Sequence, residues 1–307
     1  MIVAEVVRSG FVESRHHGSV VVLDAEGGVL AKAGDVTAAI FPRSSNKPLQ
    51  TVGMLHAGLE LVDPADLALI SGSHYGEPFH IRRVRKILRA TGLESDVLRC
   101  PPELPLSAAD SDALLRSGGG AEPIIMNCSG KHAGMLATCV ANGWPLDTYL
   151  DAKHPLQVSL AATVADLAGE PIAATGVDGC GAPVFAFSLT GLARAFQRLV
   201  EADPGTPERR VSDAMRAYPE MVAGTGAPDT VLMDGVPGLL AKGGAEGVVA
   251  VAVPGTGAVA IKIEDGAKRA RMPVLRSALR RLDVLAPPSD EPVLGGGEPV
   301  GEVRTVW

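Results

Sequence analysis

Aromatic side chains make up only 4% of the 307 residues, so the interior of this protein must be filled mainly by Ala, Val and Leu. A basic excess is missing as well. The formal net charge is −7, and the few aromatics are not interleaved with Lys or Arg. Without a basic stripe to neutralise phosphates, nucleic acid is not an expected partner. No uninterrupted apolar run reaches the roughly 20 residues that a membrane-spanning helix needs, so no membrane association is expected. The start, Met1-Ile2-Val3-Ala4-Glu5, lacks the basic residues, long apolar stretch and small-residue cleavage site of a signal peptide. Cysteine is sparse too: Cys100, Cys128, Cys139 and Cys180 are the four present. With no sign of export, reduced thiols in a cytoplasmic protein are the expectation, and reduced thiols are free to bind metal.

What is present is an ordinary globular balance of 46% hydrophobic and 21% charged residues, in a chain long enough for one large α/β domain or two lobes. Ser19-Val20-Val21-Val22-Leu23, the turn Asp24-Ala25-Glu26-Gly27-Gly28 and Val29-Leu30-Ala31-Lys32 read as a β-hairpin. Two more strands are expected over 247–253 and 258–263, closed by Glu264-Asp265-Gly266. Between these ends helical spacing dominates, over 79–91, 130–142, 156–167, 189–201 and 208–223, with a last helix over 273–285. The short run Leu67-Ala68-Leu69-Ile70 is strand-like, and the Pro- and Gly-rich stretch 287–299 reads as a surface loop. Strands at both ends with helices between them predict an α/β (α+β) fold: a mostly antiparallel sheet built from both chain ends, flanked by helices, with a mostly helical middle lobe. The expected boundaries are a sheet lobe over about 1–75 and 235–307 and a helical lobe over about 76–234.

The chemistry-bearing residues sit in a few short blocks. Phe41-Pro42-Arg43-Ser44-Ser45-Asn46-Lys47-Pro48 leads into an apolar helical run over 49–59. Pro48 fits only the first helical turn, which puts Ser44 at or just before the helix N-terminus. Ser44 and Lys47 then lie on one side of the turn, and a Lys serves as base for a Ser where burial or a neighbouring cation populates the neutral amine. The same spacing occurs in any helix-rich protein, and a Ser before a helix is also an ordinary N-cap. Ser71-Gly72-Ser73-His74-Tyr75-Gly76-Glu77-Pro78 adds a Ser-His pair that a purely structural loop does not need. In Lys242-Gly243-Gly244-Ala245-Glu246-Gly247 a Lys precedes glycines that permit close approach of a substrate backbone, although a plain turn with a solvated Lys fits equally well.

Asn127-Cys128-Ser129-Gly130-Lys131-His132 opens an apolar helix, and Gly176-Val177-Asp178-Gly179-Cys180-Gly181 follows further along. Two Cys in separate loops, with Lys131 and His132 near one of them, are chemically able to hold Zn²⁺. Most soft sites use four Cys or His ligands, so the residues alone favour plain buried thiols. Asp178 suits a substrate ammonium and Arg43 a carboxylate, the pair that a small zwitterion requires. Each also has an ordinary reading as a turn Asp or a surface Arg.

Together with Tyr218-Pro219-Glu220-Met221-Val222-Ala223-Gly224, these blocks closely resemble the bacterial asparaginases typified by the inducible rhizobial enzyme, in the expected order over most of the chain. That family is similar in fold to serine β-lactamases and glutaminases. The resemblance implies one catalytic unit over 1–307 that hydrolyses L-asparagine to L-aspartate and ammonia through two Ser-Lys pairs, Ser44 with Lys47 and Ser73 with Lys242. It implies zinc ligands at Cys128, Lys131 and Cys180, against the preference for plain thiols, substrate contacts at Arg43, His132 and Asp178, and a homodimer. Ser44 is expected to attack the carboxamide after Lys47 takes its proton, while Ser73 and Lys242 relay protons or polarise the first pair. Tyr75 stands where many relatives have a small residue. The rival readings are a β-lactamase-like or peptidase-like acyl hydrolase and a zinc-dependent amino-acid-binding protein. Arg43 and Asp178 argue against the first, and the retention of both Ser-Lys pairs against the second.

Overall fold

Turn residues and β-branched runs fold both ends of the chain into sheet; the computed structural model of the protein describes residues 1–288 and 292–307. Strands β1 (Ile2–Arg8), β2 (Phe11–Leu23), β3 (Val29–Ala33) and β4 (Ala39–Ile40) come first. A 3₁₀ turn over Arg43–Asn46 then opens α1 (Lys47–His56), and α2 (Pro64–Ile70), α3 (Pro78–Ala90), α4 (Ala108–Arg116), α5 (Ser129–Asn142) and α6 (Pro155–Ala168) follow. After β5 (Ala174–Val177) and β6 (Pro183–Ser188) come α7 (Leu189–Glu201), α8 (Pro207–Ala217), α9 (Pro219–Val222) and α10 (Pro228–Gly235). The chain returns to sheet with β7 (Leu240–Gly243), β8 (Val248–Val253) and β9 (Gly257–Ile263), then closes with α11 (Arg271–Arg280), β10 (Val293–Gly295) and β11 (Glu298–Thr305).

The large sheet runs β10-β11-β1-β2-β9-β8-β7, with β3 also paired to β2, and its pairings are antiparallel. Both chain ends therefore share it, Glu5 standing opposite Arg304. β4, β6 and β5 form a second, three-stranded sheet. The β2–β3 and β8–β9 hairpins lie where the turn residues place them. β8 is buried at every position, so both of its faces are covered and it reads as a continuous Val/Ala run instead of an alternating one. Helix α7 packs on β2, β8 and β9, and α11 on β9 and β11. Helix α1 is buried from Lys47 to Leu55 because α5, α6 and α8 surround it.

Four expectations change. Leu67–Ile70 is the end of helix α2, not a strand: Asp63 caps it by accepting the Ala65 N–H at 3.0 Å, and Pro64 fills the first position. Packed among α5, α8 and α9, this helix has no free face, and an apolar run of that kind carries no helical period. The helix expected over 208–223 is divided, because Pro219 interrupts the hydrogen-bond ladder between α8 and α9. The last helix spans Arg271–Arg280, and the chain leaves it with Asp283 at a φ of 57°. Within 287–299, finally, β10 and β11 make a hairpin about Gly296-Gly297, whose φ values of 61° and 90° suit a tight mirror-image turn. Residues 289–291 of that stretch lie outside the described residues.

An ion network ties the start of α2 to α3. Arg83 Nη1 lies 2.7 Å from both Asp63 and Asp66, and Lys86 Nζ 2.8 Å from both. The Lys86 ammonium, then the Arg83 guanidinium, hold the Asp63 carboxyl well below its ordinary value of 3.8. A depressed carboxyl stabilises the fold above its unfolded pKa and loses that contribution as pH falls toward the folded one. Asp63→Ala also removes the α2 cap, so a loss of about 1–2 kcal/mol is expected at pH 7. In denaturant melts the gap from wild type should narrow below pH 3.8; a gap that is independent of pH would show that the network contributes nothing.

Candidate functional site

The 3₁₀ turn before α1, the segment after α2 and strand β7 meet at a cavity of about 650 Å³, on which Ser44, Ser73 and Lys242 all open. Backbone contacts that only glycine allows bring them together. A Cβ on Gly72 would stand 2.5 Å from the Val222 carbonyl oxygen, and one on Gly244 would stand 2.6 Å from the Pro42 carbonyl oxygen. The glycines after Lys242 thus admit the protein's own backbone. Two hydrogen bonds lock the same contacts: Ser73 N–H donates to Val222 O at 2.7 Å, and Ser45 Oγ donates to Lys242 O at 2.9 Å.

Lys47 is buried at 1% exposure, and its Nζ donates to Gly72 O at 2.6 Å and to Ser73 Oγ at 2.9 Å. The serine that Lys47 holds is therefore Ser73. Ser44 Oγ makes no hydrogen bond among the described residues and faces the cavity. Lys242 Nζ, also 1% exposed, donates to Gly243 O at 2.7 Å and lies 3.4 Å from Asp229 Oδ2. Burial is the main cause that pushes the Lys242 amine down to about 8; Asp229 opposes it, while Lys47 and Arg271 add to it. Burial raises the Asp229 carboxyl, but Lys242, Arg271 and the Gly243 N–H together hold it below its ordinary value. Asp229 went unnoticed in the sequence because Ala227-Pro228-Asp229 looks like any helix start with an acid in its first turn.

His74 turns away from this chemistry. Its Nε2 lies 2.9 Å from Ser129 Oγ, and its Nδ1 accepts the Gly76 N–H at 3.2 Å. Ser129 Oγ itself donates to Ile124 O at 2.7 Å, so the ring is the donor at Nε2 and has no nitrogen left for Ser73. Burial, with His80 and Lys47 adding, keeps this imidazole neutral, well below the usual histidine range. The Ser-His pair is structural.

On another side of the Ser44 turn, Arg43 Nε donates to Asp178 Oδ1 at 2.7 Å, and Glu246 lies 3.9 Å from Arg43 Nη1. Arg43 and Glu246 both take left-handed backbone angles, φ 52° and 57°, which side-chain-bearing residues adopt only where surrounding contacts impose them. Next to Asp178 comes a buried cluster of Cys128, Lys131, His132 and Cys180. Lys131 Nζ donates to Cys180 Sγ at 3.2 Å, and His132 Nδ1 meets Tyr149 Oη at 2.7 Å. The neighbouring Cys128 thiol lowers the Cys180 thiol; burial opposes, and Lys131 and His132 reinforce the lowering. Burial works against the Lys131 ammonium, but Cys180, Cys128 and Asp178 outweigh it and raise the group.

The three residues expected to hold zinc are thus brought into one cluster. Two thiols and one amine make a soft donor set, and metal binding replaces ligand protons of the kind that Lys131 now carries. The buried His132 Nε2 beside them makes no hydrogen bond of good geometry among the described residues, a polar atom that suits a bound group. Among the described residues no group of three or more His, Cys, Asp or Glu side chains is arranged to hold a metal, so such a site depends on Lys131.

Residues 4–305 match the family model described as L-asparaginase II, and the chain belongs to that family. It is therefore a hydrolase of the asparaginase type with a small-molecule substrate. No curated protein matches it. Among solved structures it is similar to a candidate β-lactamase of Bacteroides dorei DSM 17855, at 14% identity over 87% of this chain and 93% of that one, TM-score 0.45. It is also similar to Mglu in its native form, at 15% identity over 87% of this chain and 62% of Mglu, TM-score 0.45. A third similarity is to EstCE1, a hydrolase with promiscuous acyltransferase activity, at 14% identity over 85% of this chain and 93% of EstCE1, TM-score 0.44. No helix of the described residues is long and apolar enough to cross a membrane.

A hydrolysis rate that depends on neutral Lys242 is expected to rise with pH through about 8. Asp229→Asn removes the anion that raises this amine, so the rise should move to lower pH even as the rate falls. A limb that stays in place in the variant would mean that Lys242 is not the titrating group.

Proposed function

We propose that the protein is an L-asparaginase that hydrolyses the side-chain amide of L-asparagine to L-aspartate and ammonia, with a serine nucleophile and lysine base. The observation that carries this reading is the gathering of Ser44, Ser73 and Lys242 at one cavity, with the buried Lys47 amine behind it 2.9 Å from Ser73 Oγ. Ser44 Oγ, without a hydrogen bond among the described residues and on the cavity, attacks the carboxamide carbon while Lys47 takes its proton. Ser73, bonded to Lys47, hands a proton to the departing nitrogen, and Lys242, its amine down at about 8, relays protons beside the pair in its neutral form. Water then hydrolyses the aspartyl ester. Arg43 takes the α-carboxylate and Asp178 the α-ammonium, exchanging their mutual ion pair for the substrate's charges, with His132 alongside. The same Lys47–Ser73 hydrogen bond favours a second reading in which Ser73 forms the ester.

Ammonia release from asparagine, measured beside glutamine and a chromogenic β-lactam, tests the assignment. Ser44→Ala is expected to lose at least about a thousandfold in kcat and Ser73→Ala about a hundredfold. Near-normal turnover by folded Ser44→Ala sinks the scheme, and an acyl adduct trapped on Ser73 would select the second reading. Since one methylene is worth only about 1–3 kcal/mol in a pocket, weak glutamine hydrolysis is expected as well. A β-lactam preference would instead favour the acyl-hydrolase rival, and binding of asparagine without turnover the amino-acid-binding one. A homodimer in the cytoplasm completes the proposal.

We further infer that Cys128, Lys131 and Cys180 hold Zn²⁺. When bound, the ion supplies positive charge that orients the substrate, since Ser44 already provides the nucleophile. Stripping the protein with a chelator is expected to raise KM severalfold, with recovery on adding zinc back. Unchanged KM and kcat after verified removal would exclude a functional metal.

A further inference from the structure

The cavity on which the serines open is far larger than the reaction just described requires. The group that leaves asparagine is ammonia, comparable to one water molecule at about 30 Å³, whereas the cavity measures about 650 Å³. Arg43, His132 and Asp178 are not among its lining residues. The space therefore extends from the serines in a direction other than the amino-acid clamp.

Its lining has a marked charge balance. Lys242, Lys268, Arg269 and Arg271 stand against the single acid Asp229, and Asp229 already faces Lys242. This concentration of cations occurs in a chain of net charge −7. Arg269 is mounted from behind: its Nε donates to His16 Nε2 at 3.0 Å and its Nη2 to Ser14 Oγ at 3.2 Å, while His16 Nδ1 meets Asp265 at 2.6 Å. Those bonds fix the guanidinium against β2 and leave Nη1 uncommitted. Lys268 has no hydrogen bond or ion pair among the described residues, and the buried Nε of Arg271 has no acceptor. Leu106, Met272, Pro273 and Tyr75 supply apolar wall to the same cavity.

We propose that the enzyme also hydrolyses β-aspartyl amides whose leaving amine carries a carboxylate, β-aspartyl dipeptides being the simplest, with Lys268, Arg269 and Arg271 forming the carboxylate subsite. This rests on the asparaginase reading of the serines. The aspartyl half occupies the same clamp as asparagine, and the second amino acid takes the place of ammonia. The bond from Ser44 Oγ to the β-carbonyl carbon forms as the C–N bond breaks, and the serine proton goes by way of Lys47 to the departing amine. Water then cleaves the ester, giving L-aspartate and the free second amino acid, one water consumed per peptide. An apolar second residue suits the walls, and its α-carboxylate reaches the basic rim.

The test uses three substrates on the full chain: L-asparagine, β-aspartyl-leucine and β-aspartyl-leucinamide, which lacks the terminal carboxylate. Wild type is expected to cleave β-aspartyl-leucine at least about tenfold more efficiently than its amide, the usual weight of one hydrogen bond to a charged group. Lys268→Gln/Arg269→Gln should lower kcat/KM for β-aspartyl-leucine by about tenfold or more, leave asparagine within about twofold, and abolish the preference over the amide. Turnover of asparagine without the dipeptide overturns the proposal alone, as do equal rates on dipeptide and amide. A double variant that loses asparagine and dipeptide activity in proportion overturns it too. Absence of turnover on asparagine by wild type sinks the asparaginase reading, and this proposal with it.

Discussion

Two lysine amines, Lys47 and Lys242, are buried to 1% exposure at one site with a single carboxylate, Asp229, beside them. Burying an ammonium without compensation is costly, so every polar group within reach is drawn into holding them. Lys47 is held by the Gly72 carbonyl and the Ser73 hydroxyl, Lys242 by the Gly243 carbonyl and Asp229. Burial above all, with too little negative charge nearby to offset it, leaves Lys242 with its amine down at about 8. A charge deficit that destabilises the folded chain is here the condition for a reactive amine near neutral pH.

The rest of the structure serves to keep that arrangement in register. The turn carrying Ser44 comes before α1, Ser73 follows α2, Asp229 begins α10 and Lys242 lies on β7. Only α10 and β7 are neighbours in sequence, so close backbone contacts must join the others to them. Gly72 against Val222 and Gly244 against Pro42 supply two such contacts, each too near for a side chain. The neutral, fully bonded His74 then fixes the loop just beyond Ser73 to α5 through Ser129. Burial at these joints excludes water from the amines and gives each hydrogen bond its directional value.

A second charge arrangement lies beyond the Ser44 turn and obeys the opposite balance. There the Cys180 sulfur accepts from Lys131 Nζ, and Asp178 answers Arg43. The Nε2 nitrogen of His132 borders it. Positive charge in excess on the cavity side and paired charge on the clamp side divide the site into regions that suit different parts of one substrate.

Local sequence determined a good deal. Val/Ile runs around Gly- and Asp-containing turns specified the β2–β3 and β8–β9 hairpins, and apolar spacing specified α3, α5, α6 and α7, because those signals act over a few residues. The blocks around Ser44, Ser73, Cys128, Asp178 and Lys242 were legible as chemistry for the same reason, and the family match extends over nearly the whole chain. What the tertiary structure alone decided depends on contacts between distant residues. It turned Leu67–Ile70 into a helix end, since burial on every side erases the period that would reveal one. It paired β11 with β1 across the full length of the chain. It gave Lys47 to Ser73, brought Asp229 to Lys242 and turned His74 away, because hydrogen-bond partners are set by packing geometry and leave no trace in sequence spacing.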